Sequence, residues 1–328
     1  MTHADYDALV AASPQGSIFA TSWWLDAVAG GRWRPNAVSE GAGIVAAWPT
    51  VVRRTRWGDV HEGAPLTPYL GPLFLPRDSE LRRREEEVKR LEQLAEAFDS
   101  AAHIEAACNP AFDYWTPLRW HGFAQTTRYT WRFPRVDDLD GILSSARENI
   151  RREIRKAEKR GITVDDGPLD AFQDVHLRTA AHQEIPGAEQ YLPALRRIDA
   201  AASERSARRI LLARDADGQT HAGGYFVRDD RWVYYLAGAS DPQLRTSGAA
   251  SLLLWKGIAF AADEGLGFDF EGSIIRGVER FFRAFAGVPT SYSVVRKTPS
   301  RALRLGRPLK RALRSASFSR TTTLFSGV

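Results

Sequence analysis

The sequence predicts an α/β chain of two halves, each a mixed, mainly antiparallel sheet flanked by helices. Three observations carry that reading. A length of 328 residues, 44% of them hydrophobic, suffices for two cores. Segments of helical periodicity alternate with short aromatic and β-branched runs. The composition shifts at VDDLDG, residues 136–141, which puts a boundary near residue 136 and predicts domains at 1–135 and 136–297, with a basic tail at 298–328.

In the first half, SIFATSWWLDAVAG (17–30) reads as a helix that starts near Thr21 or Ser22 and stops at the glycines. Strand-like residues follow at GIVAAWPTVV, and APLTPYLGPLFLP reads as strand and loop. From Ser79 to Phe98, Leu81, Val88, Leu91 and Leu94 recur among charges at helical spacing. A strand at AHIEAAC and the aromatic stretch WTPLRWHGFAQTTRYTWRF complete the half.

The second half opens with SARENIRREIRKAEKRG, a strongly basic helix ending at Gly161. ITVDDG is a strand and turn, and DAFQDVHLRTAAHQEI and YLPALRRIDAAASERS are helices. Residues 207–240 give three strands joined by DGQT and RDDR turns. A helix at GAASLLLWKGIAFAADEGL, the run FDFEGS, a phenylalanine-rich helix and a last strand, PTSYSVVRK, follow in that order.

Composition narrows the class. The single cysteine, Cys108, excludes an internal disulfide and a four-cysteine zinc site, and fits a reducing cytoplasm. No His, Cys or Asp spacing suggests a metal site. MTHADYDALV lacks the basic and apolar regions of a secretory signal, and the longest apolar stretch is interrupted by Lys256, so the expectation is a soluble cytoplasmic protein. Net charge is +5, yet Arg296, Lys297, Arg301, Arg304, Arg307, Lys310, Arg311, Arg314 and Arg320 close the chain with no acidic residue among them. Such a tail suits tRNA, an anionic membrane surface or a solvated extension.

Two stretches carry chemistry. RTSGAA, Arg245, Thr246, Ser247, Gly248, Ala249 and Ala250, runs from a strand into a helix, where backbone N–H groups at a glycine turn can cradle phosphate oxygens. FDFEGS has two readings. In one, Phe268 and Phe270 face a core, Asp269 faces water and Ser273 caps the helix carrying Phe281, Phe282 and Phe285. In the other, Asp269, Glu271 and Ser273 stand at the carboxyl end of a strand, where open sheets present ligand-binding groups.

With its flanking strand and helix, the Arg-x-x-Gly-x-Ala spacing resembles the pyrophosphate signature of GNAT acetyltransferases. The ordered set RENIRREIRKAEKRGITV, WVYYLAGASDPQLRTSGAASLLLWKGIAFAADEGL, FDFEGS and VERFFRAF followed by PTSYSVVRK, from Arg147 to Lys297, resembles the C-terminal half of FemAB-like, GNAT-fold acyltransferases. LTPYLGPLF with RWHGF is similar to the N-terminal half of members related to the FemX peptidyltransferases. The resemblance implies tandem GNAT-like domains and transfer of an acyl or aminoacyl group to an amine.

The tRNA-dependent members carry a lysine in a Phe-Lys-x-x-Phe-Gly stretch, and here Phe281-Phe282-Arg283-Ala284-Phe285-Ala286 puts Phe282 at that place. Arg283 would point about 100° away around a helix. For aminolysis of a thioester Glu271, at a strand end among Phe268, Phe270 and Phe281, is the candidate base or a carboxylate set against a helix dipole; Asp269 binds the acceptor amine or pairs with an arginine; and Tyr235 donates to a leaving thiolate, as the resemblance implies, or packs in the strand. Tyr69, Gln183, Ser273 and Arg283 are the candidate substrate contacts. His182 is structural or touches substrate, and Trp23, Trp24, Trp115 and Trp120 are core or stacking residues.

The leading expectation is an N-acyltransferase using acetyl-CoA or another acyl-CoA, with no metal, on a small-molecule amine acceptor such as an amino sugar or amino acid. The alternatives are an aminoacyl-tRNA-dependent transferase and a non-enzymatic scaffold that binds a membrane or phosphate surface through the tail.

Overall fold

The computed structural model describes residues 2–41, 43–76, 79–182 and 188–300. Gln183 and the tail beyond Ser300 lie outside the described residues. In chain order the elements are α1 (His3–Ala12), α2 (Ser22–Ala29), β1 (Trp33–Arg34), β2 (Ala37–Glu40), β3 (Gly43–Ala47), β4 (Thr50–Thr55), β5 (Gly58–Glu62), β6 (Leu73–Phe74), α3 (Glu80–Glu96), β7 (His103–Ala107), α4 (Thr116–Trp120) and β8 (Ala124–Phe133). There follow α5 (Leu139–Ser145), α6 (Glu148–Lys159), β9 (Thr163–Asp166), α7 (Leu169–His182), α8 (Leu192–Glu204), β10 (Arg208–Arg214), β11 (Thr220–Arg228), β12 (Trp232–Ser240), α9 (Ala249–Asp263), β13 (Gly267–Asp269), α10 (Arg276–Arg283) and β14 (Val288–Lys297).

Two compact units divide at Arg128/Tyr129 and again at Thr290/Ser291, not at residues 136 and 298. The reason is strand pairing. Arg132 and Phe133, at the end of β8, pair with β13 of the second unit, and Val294–Lys297 of β14 pair with β7 of the first.

The first unit contains β1, β4, β5, β7 and the end of β14, hydrogen-bonded in that order and antiparallel except for β5 with β7, and a small sheet β2–β3–β6. Two apolar clusters lie in its core among the described residues. Leu91, Leu94 and Phe98 at the end of α3 pack with Trp48 and Ile104, and Tyr6 and Leu9 of α1 pack with Leu25 and Leu73. Ser79 caps α3 by accepting from the Arg82 amide at 3.3 Å. Helix α1 carries no strong apolar period and was not foreseen; a capping box between Thr2 and Asp5 starts it.

In the second unit the order is β8, β13, β12, β11, β10, β9, antiparallel except for β12 with β13. Strands β11 and β12 are buried along nearly their whole length, as central strands covered on both faces must be. Helix α9 covers one face so closely that a Cβ at Gly257 would lie 2.3 Å from the Phe226 ring. Helix α6 buries only Ile150, Ile154 and Ala157, spaced i, i+4 and i+7, and leaves its cations outside.

Three features of this unit shape the site. Strands β12 and β13 pair only from Trp232/Gly267 to Tyr234/Asp269, after which β12 continues to Ser240 and the other chain turns away. A bulge at Leu236 puts Tyr225 opposite Ala237 and Phe226 opposite Tyr235. The departing turn uses left-handed conformations at Glu271 (φ 60°) and Gly272 (φ 67°).

The helix after FDFEGS starts later than the first reading supposed. Ile275 is the N-cap of α10, Ser273 instead accepts from the Ile275 amide at 3.1 Å, and Phe285 lies beyond the last helical residue, Arg283.

Candidate active site

Asp269 ends β13 and is fully buried, so it does not face water. Its Oδ2 accepts from Arg132 Nε at 2.8 Å and pairs with Nη2 at 2.6 Å; its Oδ1 accepts from the Thr130 hydroxyl at 2.6 Å and the Glu271 amide at 2.7 Å. Asp269 thus has an arginine partner. Arg132 also lies over the Trp232 ring at 4.3 Å, which offsets part of the cost of burying a guanidinium.

Glu271 is buried at 6% exposure, and its Oε1 has no hydrogen-bond partner. Burial, and then the neighbouring Asp269 charge, push its carboxyl well above the usual range; Arg132 opposes them. A buried carboxyl with an unused oxygen is costly as structure and useful as a proton acceptor.

Tyr235 sits beside the Leu236 bulge, against Phe226 and Phe282. Burial pushes its phenol far up, so at neutral pH it keeps its proton and is able to donate it. The bulge brings its hydroxyl over Gly238, where a Cβ would sit 1.6 Å from the oxygen. In an unbroken strand positions 235 and 238 would face opposite ways.

RTSGAA forms a 3₁₀ turn, Arg245–Ser247, and Gly248 at φ 88° then opens α9. The amides of Ala249 and Ala250 belong to the first turn of α9, where the helix supplies no acceptors, although the Ser247 hydroxyl takes the first of them at 3.3 Å. Ser247, Gly248 and Ala249 are buried, Ala250 is half-buried, and Arg245 and Thr246 are exposed. A histidine and an arginine join the turn from elsewhere in the unit. Arg245 donates to His182 Nε2 at 3.1 Å, and Arg160, at the end of α6, reaches the Thr246 carbonyl at 3.5 Å.

The remaining expected residues fall elsewhere. Arg283 is on the surface, paired with Glu279 at 2.9 Å. Ser273 is half-buried and occupied by its local turn. Tyr69 is buried in the first unit against Phe19 and Tyr292. Trp24 is core and donates to Thr67, Trp23 and Trp115 are half-buried, and Trp120 is 64% exposed. Phe282, at the lysine place, is buried against Phe270.

Thr130 and Arg132 escaped the sequence reading. Their signal was the alternation in YTWRF, where two polar residues two apart share one face of a strand. Among the described residues no group of His, Cys, Asp and Glu is placed to hold a metal ion, and no helix is long and apolar enough to cross a membrane.

Residues 144–283 match the acetyltransferase (GNAT) domain family. No curated protein sequence matches the chain. Among solved structures, FemX has a TM-score of 0.68 at 14% identity, covering 95% of this chain and 98% of its own. L-PGS from Bacillus licheniformis has a TM-score of 0.53 at 13% identity, covering 96% and 97%. A tandem GNAT protein from the clavulanic acid biosynthesis pathway has a TM-score of 0.50 at 11% identity, covering 91% and 95%. The fold and the domain match together define a transferase of the GNAT fold. Residues 144–283, within the second unit, form a GNAT acetyltransferase domain, and the chain as a whole shares its fold with FemX and with a tandem GNAT protein.

Proposed function

We propose that the chain moves an acyl group, acetyl in the simplest case, from acyl-CoA to the amine of a small molecule such as an amino sugar or amino acid. The observation that carries this reading is the buried Glu271 carboxyl, one oxygen of which has no hydrogen-bond partner, in the same unit as the α9 N-terminus and the stretch of β12 that β13 leaves unpaired.

The chemistry follows from those groups. The acceptor ammonium first loses a proton to solvent, and Glu271, when ionised, takes the second proton from the neutral amine as it attacks. The nitrogen forms a bond to the thioester carbonyl carbon, the oxyanion collects the charge, and collapse breaks the carbon–sulfur bond. Tyr235 supplies a proton to the departing thiolate and regains one from Glu271 or solvent, giving amide, free thiol and no net change in the enzyme. On this reading Arg245, Arg160 and the first amides of α9 receive the donor's phosphates, and the β12 backbone past Tyr234, released from β13, offers amide partners to its extended arm.

A second reading keeps the fold and takes the acyl group from aminoacyl-tRNA. What favours it is α6, whose Arg152 and Arg155 side chains are 67% and 65% exposed beside Lys159 and Arg160. Phe282 in place of the lysine weighs against it. Thiol release from acetyl-CoA with a panel of amines, run beside transfer from charged tRNA with and without ribonuclease, separates the two. Amine-dependent thiol release that is indifferent to ribonuclease and lost in Glu271→Gln supports the CoA reading; transfer only from tRNA overturns it.

A further inference from the structure

Glu271 holds a left-handed backbone conformation, φ 60°, that a residue with a Cβ adopts only at a steric cost. Such a residue stays there only if its surroundings over-determine it. Here the determinant is the hydrogen bond that its backbone N–H donates to Asp269 Oδ1 at 2.7 Å. Asp269 is in turn fixed from β8, by the Thr130 hydroxyl on one oxygen and the Arg132 guanidinium on the other. The next residue closes the turn. Gly272 lies so close to β8 that a Cβ there would be 2.3 Å from the Tyr129 carbonyl oxygen and 2.8 Å from Thr130 Cα.

We propose that Asp269, held by Thr130 and Arg132, is the positioning residue for Glu271: it grips the Glu271 amide and sets the turn that leaves one oxygen of that side chain without a protein partner. This rests on the reading of Glu271 as the proton acceptor. Two roles meet in one carboxylate, because Asp269 also places a negative charge beside Glu271. The charged groups that act on Glu271 are Asp269 on β13, which favours its protonation, and Arg132 on β8, which opposes it.

Asp269→Asn keeps an oxygen for the Glu271 amide and removes the charge. A base works only when ionised, so the rate rises with pH through its pKa. With the Asp269 charge gone and Arg132 still present, the acid limb of the kcat/KM profile moves to lower pH. A carboxylate that served only to hold the fold together would lower the rate at every pH and leave the limb in place. The test is the pH profile of wild type, Asp269→Asn and Glu271→Gln with acetyl-CoA and a responsive amine, each variant checked by its melting curve. A limb that moves down in Asp269→Asn and vanishes in Glu271→Gln is the expected result. A limb that vanishes in Glu271→Gln but stays put in Asp269→Asn overturns this proposal alone, and one that survives Glu271→Gln overturns the base assignment and this proposal with it. Where Asp269→Asn does not fold, Thr130→Val and Thr130→Ser decide. Loss of about tenfold in kcat with donor KM unchanged in the valine variant, restored by serine, supports the proposal; wild-type kcat in both contradicts it.

Discussion

Gly248 packs against the backbone of Glu153: a Cβ at position 248 would lie 2.1 Å from the Glu153 carbonyl oxygen. The glycine at the head of α9 is therefore required twice, by its φ of 88° and by the approach of α6. Gly248→Ala is expected to lose at least about 2 kcal/mol of stability, read from urea unfolding, because the new methyl group has both a forbidden backbone and a closed space. A variant that unfolds like wild type would show that α6 does not press on this turn. A bulky residue at 248 would break the α6 contact before filling any phosphate cradle, so donor binding has to be probed from the exposed side, at Arg245.

Glu271→Gln has opposite effects on activity and on stability. Removing the base should cost about 10²–10⁴ in kcat. The folded state raises the pKa of Glu271 above its unfolded value and so binds the proton more tightly than the unfolded chain does. Wild-type stability from this residue is accordingly present below the unfolded pKa and is lost as pH rises toward the folded one. Glutamine does not titrate, so the variant should melt higher than wild type at pH 8, with the gap shrinking toward pH 4. A melting-temperature series across that range decides it, and a variant less stable at pH 8 contradicts the buried, unpaired carboxyl.

Tyr235→Phe keeps the ring against Phe226 and Phe282 and removes only the hydroxyl. The expected result is a loss of about ten- to a hundredfold in kcat with an unchanged melting temperature. The loss should shrink with an activated ester donor whose leaving group needs no proton. Equal activity of the two proteins on a thioester would assign Tyr235 to packing.

His176 gives a second pH signature, unrelated to catalysis. It is buried on α7, stacked on Phe172 with ring centroids 6.0 Å apart, and burial lowers its pKa to about 4. Between the ordinary 6.5 and that value the unfolded chain binds a proton that the folded chain refuses. Stability should fall by about 3 kcal/mol as pH drops through this window, and His176→Gln should flatten that slope in urea titrations at pH 4–7.

How much of this was legible in the sequence depends on whether a residue announces itself locally. Helices α3, α6 and α9 and the hairpins of 207–240 could be read, because their periods and turns are written in adjacent residues. The turn RTSGAA and the run FDFEGS could be placed at a strand end for the same reason. The partner of Asp269 could not: Arg132 is 137 residues away and reaches it only because β8 pairs with β13. Nor could the left-handed backbone at Glu271 be foreseen, since glutamate has no preference for it and the hydrogen bond to Asp269 and the packing of Gly272 on β8 that accompany it are tertiary features. The same distance problem moved the unit boundary, as the last strand of the apparent first half ends in the second unit. Ser273 was assigned to helix capping on type and spacing, and a tight local turn claimed it first.

The central claim, that this GNAT domain takes its acyl group from CoA, is tested most directly by calorimetric titration of the whole protein with acetyl-CoA, beside Arg245→Ala. That side chain is exposed, so its removal should leave the melting temperature unchanged. The account predicts saturable binding at one site per chain, weakened by about five- to tenfold in the variant. A wild-type protein that melts cooperatively yet binds neither acetyl-CoA nor free CoA would contradict it.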